Sequence, residues 1–261
     1  MNETKQSEGG WFPFRYDLAS QELFKELPAR KQVILLDIMN LVGQHVQLYS
    51  KGWRPRPEFG QSDQQWSDRL GVNVQTFRDV RYQFGLDVTG KRTGLCLNWF
   101  DYRPGHGDRF GNLYRTEYLS ARFGQAENVL HKRSAKIFRQ TWGLLLSMLT
   151  AKRQALNHAD VATYCWLAFL WDSNGGFVGL NSVSISKAEI ERITGIKIAQ
   201  FMQSLTVLSK LRPCRRHLFQ FAVSRPNRNW LIEVSAWDPL DGKNDDPPPG
   251  TQTIGEVMNK N

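Results

Sequence analysis

Few motifs of enzymatic or metal chemistry occur in this sequence. The three cysteines, Cys96, Cys165 and Cys214, are odd in number and far apart. They form no CxxC pair and no zinc spacing, which fits a reducing cytoplasm better than a disulfide framework. The histidines, His45, His106, His131, His158 and His217, are scattered. No HxH or HExxH places two imidazoles on one metal, and no GxxxxGK[ST] loop is present to cradle a triphosphate. The most apolar run, Trp142–Leu149, is too short to span a bilayer and is flanked by Lys136, Arg139, Lys152 and Arg153. The polar, acidic start, Met1–Gly10, is unlike a signal peptide. These absences argue against a metalloenzyme, an ATPase and a membrane protein.

What is present is a basic, aromatic-rich chain. It has 261 residues, 41% of them hydrophobic, with nine Trp and fifteen Phe and a net charge of +9. Asp238, Asp241, Asp245, Asp246 and Glu256 outnumber Lys243 and Lys260, so the body before residue 238 is more basic than the whole. A basic folded body suits a polyanion, with nucleic acid the first expectation and an anionic membrane surface the second.

The stretch Ser184–Trp237 carries the densest pattern. Ser186 followed three residues later by Glu189 makes a capping box before Ile190 and Ile193. Gly195 suits the left-handed turn that follows. Lys197–Leu211 reads as a second helix, with Ile198, Phe201, Met202, Leu205, Leu208 and Leu211 facing a core. Lys197, Gln200, Gln203, Ser204 and Thr206 are then assigned to the opposite face. After the basic hinge Arg212–Arg216, two strand-like runs, His217–Ser224 and Asn229–Trp237, are joined by Arg225-Pro226-Asn227-Arg228. Helix, turn, helix and hairpin is the order of a winged helix-turn-helix.

A similar order occurs earlier. Pro28 opens a long helix to about Ser50, with Ile34, Ile38, Leu41, His45 and Leu48 on one stripe. His45 is read as a core residue. Beyond the link Trp53–Gly60, Ser62 caps Asp63–Leu70 with Gln65 at the third position, and Gly71 turns the chain. Asn73 caps Val74–Phe84, whose apolar side is Val74, Phe77, Val80 and Phe84. Leu86–Val88, Leu95–Tyr102 and Leu113–Leu119 read as strands, with a basic turn at Lys91-Arg92 and a long loop Arg103–Asn112.

The expected fold is α+β and mostly helical, with two winged helix-turn-helix domains joined by a helix. The parse is an N-terminal arm at 1–27, whose Trp11, Phe12, Phe14 and Tyr16 dock on the body, and a first winged-helix domain at 28–120. A linking helix at 121–153, centred on Ala126–Ala151, leads to a second winged-helix domain at 154–237. Its first helix is Ala159–Asp172. A disordered acidic, proline-rich tail occupies 238–261. Lys132, Arg133, Lys136 and Arg139 either run along DNA as a basic bridge or lie on a helix that only holds the domains together.

This arrangement resembles the plasmid replication initiators of the tandem winged-helix type, over roughly residues 28–237 and by architecture alone. The resemblance implies a sequence-specific double-stranded DNA-binding protein of a mobile genetic element, acting at a replication origin. It implies major-groove contacts from Lys197, Gln200, Gln203 and Ser204 and backbone contacts from Arg215, Arg216, Arg225 and Arg228. The matching positions in the first domain are Gln75, Thr76, Arg78 and Arg81, with Lys91 and Arg92 near the turn. No catalytic residue, metal or cofactor is expected. Expected partners are double-stranded DNA, a second copy of the chain, and host replication or transcription proteins, with no membrane. The alternatives are a transcriptional regulator of a mobile element with the same build, and a protein-interaction adaptor. A metal-free nickase, drawing on Tyr102, Tyr114 or Tyr118, trails far behind.

Overall fold

The structure, a computed structural model, describes residues 11–49, 59–87, 99–103, 112–115, 134–151, 156–173, 183–211, 219–224 and 231–236. The described part is mostly helical. By contact the chain divides into two units. One gathers Met1–Leu27, Ser134–Leu145 and Leu156–Asn261, and the other Pro28–Arg133 and Leu146–Ala155.

The first of these units begins its described course with strand β1 (Trp11–Arg15) and the short helices α1 (Tyr16–Ala19) and α2 (Glu22–Glu26). Alternation puts Phe12 and Phe14 inward, and both are completely buried. Phe12 meets Trp142 edge-on at 5.5 Å between centroids, and Phe14 meets Trp166 at 5.1 Å. Phe12 and Phe14 of the N-terminal segment are therefore docked in a core.

The partner of β1 is an antiparallel strand, Ser134–Phe138, with Phe12 opposite Ile137 and Phe14 opposite Ala135. This corrects the linking helix expected from Ala126. The helix starts only at Arg139, and the five residues before it alternate Ala135 and Ile137 into the core. The pattern is too short to overrule helical propensity locally, and the strand's partner lies far away in sequence.

In the structure's own order, strands β2 (Phe59–Gln61), β3 (Gly85–Asp87), β4 (Phe100–Arg103) and β5 (Asn112–Arg115) precede β6 (Ser134–Phe138). Helices α3 (Ala29–Tyr49), α4 (Asp63–Leu70) and α5 (Val74–Phe84) come before α6 (Arg139–Thr150) and α7 (His158–Ser173). The chain ends its described course with β7 (Val183–Ser186), α8 (Lys187–Thr194), α9 (Ile198–Ser209), β8 (Phe219–Ser224) and β9 (Leu231–Ala236).

Helix α7 is the centre of the first-described unit. All residues from Val161 to Leu170 are buried, as expected of a helix apolar all round. Asn157 and Asp160 cap its start reciprocally: the Asn157 amide donates to Asp160 Oδ2 at 2.9 Å and the Asp160 amide to Asn157 Oδ1 at 3.1 Å. Helix α9 packs on α7, and an antiparallel sheet ordered β7-β9-β8 completes the unit. Strand β7 was not anticipated. It pairs Val183 with Val234 and Ser186 with Leu231, so the chain enters α8 directly from the sheet.

The other unit is built on α3. Every residue from Gln32 to Ile38 is buried. That includes Asp37, whose Oδ2 and Oδ1 accept from Arg69 Nε at 2.6 Å and Nη2 at 3.1 Å. Asn40 Nδ2 adds a third hydrogen bond to Asp37, at 3.2 Å. Such a fork offsets the several kcal/mol that burial of a lone carboxylate costs. The side chain of His45 lies outside what is described.

Helices α4 and α5 close on a core of Trp66, Leu70, Phe77, Val80 and Phe84, with Trp66 stacked on Phe77 at 5.1 Å. The sheet order is β2-β5-β4-β3, with β3 and β4 parallel. Gly85 is the only residue type that fits at the α5–β3 junction, because a Cβ would lie 2.6 Å from the Arg81 carbonyl oxygen and 2.7 Å from the Phe100 ring. The strands expected at Leu95–Tyr102 and Leu113–Leu119 correspond to the shorter β4 and β5 among the described residues.

Candidate nucleic-acid interface

Each unit holds a pair of short helices joined at a left-handed glycine. In the first pair, Ser62 Oγ accepts from the Gln65 amide at 3.1 Å while Gln65 Oε1 accepts from the Ser62 amide at 2.8 Å. In the second, Ser186 Oγ accepts from the Glu189 amide at 3.3 Å and Glu189 Oε2 accepts from the Ser186 amide at 3.2 Å. The Ser186 hydroxyl also donates to Glu189 Oε2 at 2.9 Å, and this bond first, then the one from the Ser186 amide, holds the Glu189 carboxyl below its ordinary pKa. Helices α4 and α8 both stop at glycine, Gly71 at φ +60° and Gly195 at φ +69°.

The turns are then fixed by side chains. Asn73 Oδ1 accepts from the Thr76 amide at 2.6 Å and starts α5. Thr194 Oγ1 donates to the Ile190 carbonyl at 2.8 Å and accepts from the Ile196 amide at 3.0 Å. Lys197 supplies no side-chain cap to α9. Glu191 Oε1 fills that role from the preceding helix, accepting from the Ile198 amide at 2.6 Å.

On α9, Lys197, Ala199, Gln203 and Lys210 are exposed and Gln200 and Thr206 are half-buried. This stripe lies opposite Phe201, Leu205 and Leu208. From Lys197 to Lys210 the segment carries no acidic residue. Ser204 is corrected: it is completely buried, because its phase with Phe201, Leu205 and Leu208 puts it on the core side despite its polarity. It offers nothing to a groove. Gln200 Nε2 lies 3.4 Å from Ser204 Oγ.

On α5, Gln75, Arg78 and Asp79 are exposed, and Thr76 is half-buried. Gln75 Nε2 donates to Asp79 Oδ1 at 2.7 Å, and Arg78 Nε donates to Asp63 Oδ2 at 2.8 Å. Arg81 is also corrected. It is buried, its Nη1 donates to Asp63 Oδ1, and its guanidinium lies 5.0 Å from the Tyr82 ring centre and 5.2 Å from that of Tyr102. It serves the core of its unit.

Lys91, Arg92, Arg215, Arg216, Arg225 and Arg228 lie outside the described residues, as do most of the Arg103–Asn112 loop and the 238–261 tail. Lys132 and Arg133 also lie outside them. Lys136 stands in strand β6, so no continuous basic helix runs through this cluster.

Asp63 escaped sequence reasoning because its partners lie fifteen and eighteen positions away, beyond any helical spacing. Among the described residues no group of His, Cys, Asp and Glu is placed to hold a metal ion. Cys165 is buried, and desolvation pushes its thiol far above the ordinary range. No described helix is long and apolar enough to cross a membrane. Comparison with protein-family models, with curated proteins and with solved structures finds no match to this chain.

Proposed function

We propose that the chain is a sequence-specific double-stranded DNA-binding protein built on two winged helix-turn-helix elements, α4–α5 and α8–α9. The observation that carries this reading is the α8–α9 pair. A capped helix, a left-handed glycine and a second helix with an exposed acid-free stripe of Lys197, Gln203 and Lys210 lead into antiparallel strands. Glutamine and lysine are donors suited to base edges and phosphates, and the +9 charge of the chain favours a polyanion. Lys197, Gln200 and Gln203 are the groove candidates on α9, and Gln75, Thr76 and Arg78 on α5. No catalytic group, metal or cofactor enters this reading.

Its biological setting follows from the resemblance to tandem winged-helix initiators: a replication origin of a mobile element, with a promoter of such an element as the alternative. A protein-docking role has one observation in its favour, the carboxylates Asp63 and Asp79 beside the α5 face. Selection of bound sequences from randomised duplex DNA, with the full chain and a salt series, separates these readings. Recovery of a motif with salt-sensitive affinity supports DNA reading. Directly repeated copies favour an origin, and a single palindrome an operator. Absence of motif and salt dependence leaves the docking role.

A further inference from the structure

On α5 an exposed arginine, Arg78, stands against a fixed carboxylate of α4. Asp63, the first residue of α4, is only 12% exposed. Its Oδ1 takes Arg81, which is held against Tyr82 and Tyr102. Its Oδ2 takes the Nε of Arg78 at 2.8 Å. The carboxylate is thus pinned from one side and in turn orients the Arg78 guanidinium. Arg78 keeps 46% of its side chain exposed, and among the described residues only its Nε is engaged.

An arginine tethered by Nε presents its two Nη groups as an outward fork. That fork matches the O6 and N7 acceptors of guanine in the major groove. A phosphate is the poorer ligand here, because Asp63 stands beside the fork and repels a full anion more than a neutral base edge. Resting on the DNA-binding reading above, we propose that Arg78 reads one guanine of the DNA site and that Asp63 is its positioning residue.

The test compares sites selected from randomised duplex by the full unmodified chain and by Arg78→Lys and Arg78→Ala. Arg78→Lys keeps the charge, loses the fork, and leaves the Asp63–Arg81 pair intact. It is expected to lower preference for guanine at one position about tenfold or more, with the salt slope unchanged. Positioning is read by adding Asp63→Ala to Arg81→Met and comparing with Arg81→Met alone. The same guanine preference is expected to fall while the other positions hold. A selected site indifferent to Arg78→Lys overturns the proposal. So does an Arg78→Ala protein that binds all sequences uniformly more weakly with a salt slope lower by about one, which assigns Arg78 to a phosphate. If the unmodified chain shows no salt-sensitive binding to duplex, the parent reading itself has failed.

Discussion

The backbone carbonyl of Lys25 occupies the space that a side chain at position 195 needs: a Cβ on Gly195 would lie 2.5 Å from that oxygen. Helix α2 thereby closes on the turn between α8 and α9, and Gly195 is required twice, for its φ of +69° and for this approach. Gly195→Ala is expected to destabilise its unit by more than about 2 kcal/mol, since left-handed strain and a backbone clash add. A Cβ at Gly71 approaches the Thr150 methyl most closely, at 3.2 Å, and Gly71→Ala is expected to cost about 1–2 kcal/mol. Chemical denaturation of both variants checks the ranking, and equal losses contradict it.

Phe14 tests whether residues 11–27 belong to a core. It is completely buried against Phe24, Trp166 and Phe169. Phe14→Ala is expected to cost about 3–5 kcal/mol. A loss below about 0.5 kcal/mol, the usual surface value, would return this segment to a loose arm.

Asp37 and Arg69 form a hydrogen-bonded ion pair on a completely buried carboxylate. Burial opposes the Arg69 charge, but the Asp37 charge and hydrogen bond outweigh it and hold the guanidinium pKa above its ordinary value. Arg69→Ala is expected to destabilise the α3–α4–α5 unit by about 3–5 kcal/mol, because it strands a buried charge. Replacing both residues with apolar ones is expected to recover much of that loss. Additive losses in the double-mutant cycle would show that the pair is not coupled.

The Ser186–Glu189 capping box makes a pH prediction. The folded-state pKa of Glu189 is depressed, so its contribution is present above the unfolded value of 4.5 and is lost as pH falls through the folded value. Ser186→Ala is expected to cost about 0.5–2 kcal/mol at neutral pH. Because the carboxyl then loses the hydroxyl hydrogen bond and keeps only the amide one, the same change makes the stability profile shallower below pH 4.5. Parallel acid profiles for the variant and the unmodified chain would rule this linkage out.

Local chemistry made part of this architecture readable. Ser62 with Gln65, Ser186 with Glu189, and the glycines at 71 and 195 are short-range signals, and each sits where its spacing placed it. The strand at Ser134–Phe138 was hidden because its partner, Trp11–Arg15, lies nearly half the chain away. Ser204 was assigned by polarity although its helical phase pointed inward, and Arg81 by charge although Val80 and Phe84 flank it in the core. Pairings such as Asp63 with Arg78 depend on how two helices close on each other, which no sequence spacing encodes.

Selective reading of duplex DNA by α5 and α9 requires that the chain prefer its own site, and the ratio of affinities measures that preference. The affinity of the full chain for its selected site would be measured against a scrambled duplex of the same length, across a salt series. A preference of about a thousandfold or more is expected near physiological salt, with binding to both duplexes weakening steeply as salt rises. A ratio near one, or binding indifferent to salt, would contradict it.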